Sequence, residues 1–416
     1  MNENKKTSRY FEIFLGLTVI AVCFFAGLKV GLFLFERTQT TANVSTSTQA
    51  AAVIEENYCV PGIKFSDESD KKLCSEKSKI GGAKGLEINL TAGKALLYEN
   101  EKLISVLPLA YQSQEGKWFQ APTGYYFAGV KNEKHISSIF PVIMPYAFQY
   151  YEDFFIHGIP YYENGESVTS NFTGGCLRFA EGIDKQVYDF INPGVPILVY
   201  KTFDDLRLKK GFSAPVDLKD FWIRQRFNNP YRNSWIFGGT KHLKFDYYQH
   251  TGVDFFPSRG KETQNVYAIS DGWVRKIQFN DGNDHGLGNT IIIEHKIDNK
   301  KIYSLYGHLA SIKTLFKEGD IIKKGEIIGE IGNSGYGCQN YWRIGKDGCE
   351  SQAPRDIHLH FEIKKAPTLE NPEGSGFYYG YTPDYPQKYG YFDPIEFLFI
   401  KSDTNIRMHT NDTNSS

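Results

Sequence analysis

The sequence lacks an excess of charge of either sign. Its 416 residues include 47 Lys and Arg against 48 Asp and Glu, and no long basic block occurs outside the N-terminus. Because a nucleic-acid partner requires a concentrated positive surface, this balance gives no electrostatic support for nucleic-acid binding. The length exceeds what one hydrophobic core comfortably serves, which predicts two or three domains.

Long hydrophobic runs are also scarce, and the one that stands out lies near the N-terminus. Residues Ile13–Phe35 are apolar except for Thr18 and Lys29, and three basic residues precede them. At helical rise this run covers about 34 Å, enough to cross a bilayer. The positive-inside tendency then places residues 1–12 in the cytoplasm and everything beyond the run outside. The alternative is a cleaved signal peptide with Ile13–Leu28 as its apolar region, and either way the body is exported.

Cysteines are few as well, six in all, and one of them lies in the apolar run. Cys59 and Cys74 bracket one short polar stretch, and Cys338 and Cys349 bracket another. Outside the cytoplasm each pair is a plausible disulfide, worth about 3 kcal/mol for loops of this length. Cys176 remains without a partner, which predicts a reactive cysteine.

Composition shifts divide the chain into segments. From residue 38 to 52 the sequence is small and polar without charge, which is typical of a flexible spacer. The predicted segments are a cytoplasmic N-terminus (1–12), a transmembrane anchor (13–35), a flexible linker (36–55), a disulfide-containing lead-in (56–84), a first domain (85–201), a connector that packs on the second domain (202–240), a second domain (241–400) and a polar tail (401–416).

Strand patterns dominate both domains. In the first, Leu86, Ile88 and Leu90 alternate with polar residues, and the one convincing helix lies near Asp184–Ile191. In the second, glycine turns separate short apolar runs such as Thr290–Ile293. The predicted fold is mainly β (β-rich α+β), with two β-rich catalytic domains behind one N-terminal transmembrane helix.

The first domain contains the residues of a thiol-based acyl-transfer site. A cysteine attacks only as its thiolate, so Cys176 needs a base, and His157 at the end of an aromatic strand can supply one. Thr173 and the glycines after it, including Gly175, can turn backbone N–H groups toward an oxyanion. Arg178 is two residues beyond Cys176 along a strand, so we expect it on the same face, where it could hold a substrate carboxylate.

The first domain resembles the YkuD-type L,D-transpeptidases from Leu86 to Tyr200. The resemblance is carried by the opening strands and by Ala121-Pro122-Thr123-Gly124-Tyr125-Tyr126, Met144-Pro145-Tyr146, His157-Gly158 and Gly175-Cys176-Leu177-Arg178. It implies that Cys176 is the nucleophile and His157 the base, with Thr173, Gly175 and Arg178 in support. It also implies that the cysteine takes an acyl group from a peptidoglycan tetrapeptide stem at diaminopimelate, releases D-alanine and passes the acyl group to another stem.

One position departs from that family. Where the family commonly has a histidine directly before the Gly-Cys pair, this chain has Gly174. The change could weaken contacts to the oxyanion or the substrate. It could also move the acceptor from an amine toward water, which would give an L,D-carboxypeptidase.

The second domain contains a pattern that favours an open metal site. His250 and Asp254 alone are weak evidence, but His358 and His360 alternate along a strand and so share one face. The stretch from His250 to Glu362 resembles the lysostaphin-type (LytM-like) zinc endopeptidases. The motifs that carry this resemblance are His250-Thr251-Gly252-Val253-Asp254, Asp271-Gly272, Gly286-Leu287-Gly288-Asn289, Ile293-Glu294-His295, Tyr306-Gly307-His308-Leu309, Gly319-Asp320, Lys324-Gly325, Gly332-Asn333-Ser334-Gly335 and His358-Leu359-His360-Phe361-Glu362.

The resemblance implies a role for each of five side chains. His250, Asp254 and His360 would bind Zn²⁺, while His308 and His358 would stay off the metal, orient a water molecule and stabilise an oxyanion. Three protein ligands leave the fourth zinc position open for water, as catalytic zinc requires. Members of this family cut peptide cross-bridges or stem cross-links of peptidoglycan.

The two sites predict a bifunctional peptidoglycan-remodelling enzyme of the cell envelope. It would be anchored in the cytoplasmic membrane with its catalytic domains outside, and its partners would be stem peptides and their cross-links. One alternative keeps an active zinc endopeptidase beside a cysteine domain that is an L,D-carboxypeptidase or degenerate. The other is a non-catalytic wall-binding or regulatory protein.

Overall fold

The part of the chain that the computed structural model describes begins at Glu56. The described residues are 56–65, 67–112, 120–170, 173–232, 247–279, 286–313, 316–335, 357–373 and 379–402. The predicted anchor (13–35), the linker (36–55) and the pair Cys338 and Cys349 lie outside them. No helix within the described ranges is long and apolar enough to cross a membrane.

Within the described residues, the first domain contains two five-stranded sheets and one α-helix. In order, these sheets are β3-β2-β1-β10-β5 and β4-β9-β8-β7-β6. The elements are β1 Lys84–Asn89, β2 Lys94–Glu99, β3 Lys102–Pro108, β4 Tyr111–Gln112, β5 Gly124–Phe127, β6 Lys131–Ile136, β7 Ile143–Tyr151, β8 Phe154–His157, β9 Leu177–Arg178, α1 Ile183–Phe190 and β10 Pro196–Tyr200. The predicted helix is therefore present, one residue earlier at each end than expected.

The alternating apolar residues of the first domain build its core between the two sheets. Leu86 and Ile88 of β1 cluster with Ile156 of β8, Leu177 of β9 and Val187 of α1, all of them buried. Burying such side chains stabilises the fold by about 1.5–3 kcal/mol each. Because one face of β8 and β9 is buried in this core, the orientation of the opposite face is also determined. The predicted thiol site lies on that opposite face.

The lead-in covers the outer face of the first sheet. A 3-10 helix at Glu68–Ser75 is tied back by the disulfide between Cys59 and Cys74. Leu96 and Tyr98 of β2 pack against this segment, whereas Leu97 faces the main core. β2 is therefore buried on both faces, and the predicted Cys59–Cys74 disulfide is present.

The second domain is built around an eight-stranded sheet with smaller sheets beside it. The long sheet runs β12-β15-β23-β19-β18-β17-β21, with β25 also paired to β23, and the others are β13-β14-β24, β16-β22-β20 and β11-β26. The elements are β11 Leu206–Leu208, β12 Phe221–Gln225, β13 Pro230–Arg232, β14 Tyr247–His250, β15 Val253–Pro257, β16 Asn265–Tyr267, β17 Gly272–Gln278, β18 Asn289–Ile297, β19 Lys300–Leu309, β20 Ser311–Ile312, β21 Ile321–Ile322, β22 Ile327–Glu330, β23 Leu359–Lys364, β24 Tyr381–Thr382, β25 Tyr391–Phe392, α2 Pro394–Leu398 and β26 Phe399–Lys401, with 3-10 helices at Leu218–Asp220 and Pro386–Tyr389. The prediction of a mainly β fold is confirmed.

The segment predicted as a connector supplies strands to the second domain. β12 pairs with β15 at the edge of the long sheet, and β13 pairs with β14. Trp222 of β12 lies 5.4 Å from the Phe256 ring of β15 and 5.5 Å from the Tyr200 ring of the first domain, between ring centroids. The segment does pack on the second domain, but it belongs to that domain's sheets as well as to the link.

A second contact between the domains runs through β14. Tyr247 at its start packs 5.9 Å from the Phe154 ring and donates its hydroxyl to Asp153 Oδ2 at 3.0 Å. His250 stands at the other end of the same strand. This one short strand therefore connects the core of the first domain to the predicted metal site of the second.

We expect the disulfide of the lead-in to contribute measurably to stability. The cysteines are 15 residues apart in sequence, and in the chain-entropy model such a bond stabilises by about 3 kcal/mol. The double variant Cys59→Ser, Cys74→Ser should therefore lower the free energy of unfolding by about that amount in a denaturant titration. Cys176→Ser, which removes a thiol outside any disulfide, is the matched control. Equal unfolding midpoints for the two proteins would contradict this expectation.

Candidate active sites

Two histidines and an aspartate converge at one point of the second domain. Asp254 of β15 is the direct partner of His360 in β23. His360 Nδ1 lies 3.0 Å from Asp254 Oδ1, while His250 Nε2 lies 3.1 Å from His360 Nδ1 and 3.3 Å from Asp254 Oδ1. All three residues are buried. The structure thus brings together the three side chains that the sequence predicts as metal ligands.

The ring nitrogens that face one another are the ones that can bind a cation. His250 Nδ1 lies 3.2 Å from the Arg226 carbonyl oxygen, and because a carbonyl only accepts, Nδ1 donates and Nε2 keeps its lone pair. His360 Nε2 lies 3.0 Å from Glu362 Oε1, so Nε2 donates and Nδ1 keeps its lone pair. Two lone pairs and a carboxylate oxygen then meet in one place. They repel one another unless positive charge lies among them, so this donor set fits a divalent cation.

Glu362 is held in place as the acceptor for His360. Its Oε1 also accepts from Thr251 Oγ1 at 2.6 Å, and its Oε2 accepts from Lys364 Nζ at 2.7 Å. Burial raises the pKa of this carboxyl, but Lys364 and His360 outweigh burial and hold the pKa well below its usual range. The carboxylate therefore stays charged and fixes the ring orientation of a ligand.

The electrostatics of the donor set favour bound positive charge. Burial raises the pKa of Asp254, but His250 and His358 outweigh it and hold the pKa well below its usual range. Burial lowers the pKa of His360, yet its hydrogen bonds with Asp254 and Glu362 raise the pKa to about 9. The two carboxylates that raise the pKa of His360 also create the negative potential that a bound cation would neutralise.

Two further histidines stand beside this donor set. His358 stacks on the Phe256 ring at 4.7 Å between centroids, and its Nε2 lies 4.0 Å from Asp254 Oδ2. The ring of His308 lies 4.6 Å from that of His358 and 5.9 Å from that of His360. Neither belongs to the group of converging donor atoms, in line with the predicted positions off the metal.

His308 is held as a neutral imidazole, and its hydrogen bond shows which ring nitrogen carries the proton. Its Nδ1 lies 2.8 Å from the Ser334 carbonyl oxygen, so Nδ1 carries the proton and Nε2 is an acceptor. Burial, followed by the positive potentials of His358 and His360, lowers the pKa of His308 to about 3. The Ser334 carbonyl takes this position because Ser334 packs directly against the backbone of Gly288. A Cβ on Gly288 would lie only 2.3 Å from the Ser334 carbonyl carbon.

The predicted thiol site lies on the side of β8 and β9 that faces away from the core. These strands are parallel neighbours, with His157 opposite Arg178 and Ile156 opposite Leu177. Paired residues, and residues two apart, share a face, so His157, Cys176 and Arg178 lie on one side. Cys176 is half-buried, and its Sγ accepts from the Phe155 N–H at 3.4 Å.

The tautomer of His157 suits a base. Its Nδ1 lies 2.6 Å from the Gly158 carbonyl oxygen, so Nδ1 donates and Nε2 keeps its lone pair. Burial lowers the pKa of His157 to about 3, and burial raises the pKa of the Cys176 thiol to about 11. At neutral pH Cys176 is therefore a thiol and His157 a neutral imidazole.

The amides expected to form an oxyanion site are engaged within the turn before the cysteine. Gly175 N–H donates to Thr173 Oγ1, and Cys176 N–H donates to the Thr173 carbonyl oxygen, both at 3.2 Å. An oxyanion would therefore have to displace Thr173 from these N–H groups. Gly175 has a φ of +98°, and a Cβ there would lie 2.6 Å from the Phe154 ring.

Arg178 and Gly174 have contrasting surroundings. Arg178 is buried, and its Nη1 donates to the Ser170 carbonyl oxygen at 2.8 Å. Burial lowers the pKa of this guanidinium. Gly174 has a φ of +61°, and among the described residues none has an atom within 4 Å of the position that a Cβ would take there. No described side chain therefore fills the position beside Gly174, where the family commonly carries a histidine.

The structure adds three residues that had no assigned role in the sequence analysis. Glu362 had a signal, because it follows His360 by two positions on the same strand and so shares its face. His135 stacks on the ring of Phe155 at 4.4 Å between centroids, and the N–H of Phe155 donates to Cys176 Sγ, although no motif includes His135. Arg226 lies in the predicted connector, and its acceptor role toward His250 comes from a main-chain carbonyl, which has no sequence signal.

A thiol on the same strand face as a histidine, and a donor set of two histidines and one carboxylate, are typical of the centres of acyl-transfer enzymes and metal-dependent peptidases. Residues 83–199 match the sequence model of the L,D-transpeptidase catalytic domain, YkuD, and residues 248–372 match that of peptidase family M23. The chain thus contains a YkuD-type L,D-transpeptidase domain followed by a family M23 peptidase domain. These are families of peptidoglycan-acting domains.

Individual relatives match parts of the chain. A Haemophilus influenzae protein described as an uncharacterized metalloprotease is 37% identical over 123 residues, which cover 30% of this chain and 20% of that protein. Endolysin 2638A of Staphylococcus phage 2638A is 31% identical over 161 residues, which cover 38% of this chain and 28% of the endolysin. The solved catalytic domain of the antimicrobial peptidase lysostaphin from Staphylococcus simulans is 25% identical with a TM-score of 0.25, covering 41% of this chain and 87% of that one. The chain spans less than a third of the length of these curated relatives.

The pKa of Cys176 predicts how the thiol reacts with an alkylating agent. Only the thiolate reacts, and with a pKa of about 11 the thiolate is about one part in a thousand at pH 8. Because burial disfavours the thiolate, the alkylation rate should rise about tenfold per pH unit from pH 7 to 10 and level off above 11. The rate is measured with iodoacetamide by mass spectrometry of the peptide that contains Cys176, with Cys176→Ala as the blank. A rate that is already level between pH 7 and 8 would show a stabilised resting thiolate instead.

Proposed function

We propose that the chain is a bifunctional peptidoglycan-remodelling enzyme. One domain would act as a cysteine L,D-transpeptidase on stem peptides, and the other as a zinc-dependent endopeptidase on peptide cross-links. The observation that carries the proposal is the buried donor set of His250, Asp254 and His360, in which each histidine has its second nitrogen held by an acceptor. The matches to both families support the pairing of the two activities in one chain.

The peptidase half depends on side chains around the donor set. When bound there, zinc lowers the pKa of a coordinated water and polarises a peptide carbonyl. His308 has an unprotonated Nε2, because its Nδ1–H is donated to the Ser334 carbonyl oxygen, so this nitrogen would accept a proton from the attacking water molecule. His358 lies next to the Asp254 carboxylate, which orients it as a donor to the oxyanion and then to the leaving amine.

The transpeptidase half depends on proton transfer from Cys176 to His157. As Sγ bonds to the substrate carbonyl carbon, the thiol proton passes to His157 Nε2, whose lone pair is kept by the donation of Nδ1 to Gly158. The proton then passes to the departing amine of D-alanine, which leaves a thioester on Cys176. An amine of a second stem attacks the thioester, loses a proton to His157, and the thiolate leaves and is protonated again.

A second candidate for the first domain is an L,D-carboxypeptidase. Gly174 supplies no side chain where the family commonly has a histidine, and no atom of a described residue lies within 4 Å of the position of a Cβ there. A water molecule that enters this space would compete with the amine acceptor and hydrolyse the thioester. The chemistry up to the thioester is the same in both cases, so the products distinguish them.

We also propose a location for the enzyme. The apolar run at 13–35, preceded by basic residues, would anchor the chain in the cytoplasmic membrane with both domains outside. An exported position agrees with the disulfide between Cys59 and Cys74. Peptidoglycan would then lie within reach of both sites.

Digestion of purified cell walls separates the two activities. Cys176→Ala should lose all L,D products and keep the cleavage of cross-links, whereas Asp254→Ala should do the reverse, so each variant is the control for the other. His358→Ala should keep bound zinc and lower the cleavage rate about a hundredfold or more, because it removes a proton donor. Released muropeptides are identified by mass. Wild-type cleavage by Asp254→Ala would end the peptidase proposal, and unchanged L,D products from Cys176→Ala would end the transpeptidase proposal.

The position of Glu362 predicts its effect on zinc affinity. Glu362→Gln keeps the size of the side chain but removes the charge that holds the His360 proton and pairs with Lys364. Loss of such a partner weakens metal binding about 10–100-fold, which competition with a chelator measures. Glu373→Gln, which alters an exposed ion pair with Lys365 in the same domain, is the matched control. The proposed role of Glu362 fails if both variants bind zinc like the unaltered chain.

A further inference from the structure

Arg226 lies between the two sites. All the described acceptors of its guanidinium are main-chain carbonyls. Its guanidinium donates to the carbonyls of Gln120 at 3.2 Å and Ala121 at 3.4 Å in the first domain. It also donates to the carbonyls of Phe227 and Asn228, each at 3.0 Å. The side chain is buried, so each of these carbonyls would lose a partner if the guanidinium were removed.

The main chain around Arg226 holds His250 on both sides. The Arg226 carbonyl accepts the Nδ1 proton of His250 at 3.2 Å. Asn228 N–H donates to the His250 carbonyl at 2.8 Å, and His250 N–H donates to the Asn229 carbonyl at 3.0 Å. The backbone and the ring of this proposed ligand are therefore oriented by one four-residue segment.

The same segment is bound to the first domain through Thr123. Arg226 N–H donates to Thr123 Oγ1 at 3.0 Å. Asn229 Oδ1 accepts from Thr123 N–H, and Asn229 Nδ2 donates to the Thr123 carbonyl, each at 2.8 Å. All three side chains are buried. The segment therefore cannot shift relative to Thr123 without breaking several buried hydrogen bonds.

The first-domain end of this network reaches the turn before the thiol. The Gln120 carbonyl that accepts from Arg226 lies 3.4 Å from the position of a Cβ on Gly175. Gly175 directly precedes Cys176, and its N–H belongs to the Thr173 turn. A displacement of Gln120 therefore changes the packing around the nucleophile.

We propose that Arg226 is a positioning residue shared by both sites, which orients the carbonyl partner of His250 and at the same time holds Gln120 against the turn that carries Cys176. It touches neither substrate nor metal. Its consequence is a coupling between the sites: occupancy of the metal site changes the reactivity of the thiol. This inference rests on the proposed function for the metal site, but its effect on the thiol is measurable without any assumption about activity.

The test compares Arg226→Met with Arg259→Met in the full-length chain. Arg259 also bridges the domains, through Glu101 at 3.2 Å and the Ser78 carbonyl at 3.2 Å, but contacts neither site. Zinc affinity is measured by chelator competition, and Cys176 alkylation by iodoacetamide and mass spectrometry. Relative to Arg259→Met, we expect Arg226→Met to bind zinc about tenfold or more weakly. We expect its alkylation to be faster, because loosened packing relieves the burial that suppresses the thiolate.

The coupling itself supplies a measurement that a merely structural residue would not affect. In Arg259→Met the alkylation rates of zinc-loaded and zinc-free protein should differ about fivefold or more. In Arg226→Met the two rates should be equal. Equal zinc affinities and equal alkylation rates in the two variants would overturn the proposal, and so would a change confined to one site.

A conservative variant keeps the proposal testable if Arg226→Met does not fold. Arg226→Lys retains the charge but offers three donors in place of the planar fork, so it should give intermediate zinc affinity and intermediate coupling. Values equal to those of Arg259→Met would again overturn the proposal. If the unaltered chain binds no zinc, the proposed peptidase function fails, and the alkylation rates of the zinc-free variants still decide whether Arg226 positions the thiol.

Discussion

The register between β15 and β23 is the constraint on which the proposed metal site depends. It places Asp254 directly opposite His360, and the pairing of β23 with β19 places Gly307 on the other side of His360. A shift of one residue would turn His360 into the core and Leu359 or Phe361 toward the site. Those two apolar side chains are fully buried, so the hydrophobic core that fixes the register also fixes the ligand geometry.

The contacts between the two domains connect one proposed site to the other. β14 begins with Tyr247 in the core of the first domain and ends with His250 at the metal site. The Arg226–Asn229 segment lies against both His250 and Thr123, and its hydrogen bonds are buried. The two domains are therefore joined by buried hydrogen bonds at the segment that also orients His250.

Much of both sites could be predicted from the sequence, because their signals are local. An odd cysteine among pairs points to Cys176, and alternation along a strand points to His358 and His360. Other features could not be predicted, because they depend on tertiary contacts. Trp222 lies in the segment predicted as a connector, and its packing against Tyr200 and Phe256 is visible only in the structure. Arg226 acts through main-chain carbonyls, which every residue possesses and which carry no sequence identity. The Thr173 turn is another example. Its glycines predict N–H groups that can turn toward an oxyanion, but they do not predict that Thr173 accepts hydrogen bonds from Gly175 and Cys176.

X-ray absorption at the zinc edge tests the central claim most directly, because it counts the atoms bound to the metal. The full-length chain should bind one zinc per molecule, with a first shell of nitrogen and oxygen only and a scattering signature of two imidazoles. Asp254→Ala and His360→Ala should each change that shell, while His358→Ala should leave it unchanged. A sulfur ligand, three or more imidazoles, or a shell altered by His358→Ala would contradict the assignment of His250, Asp254 and His360 as the metal site.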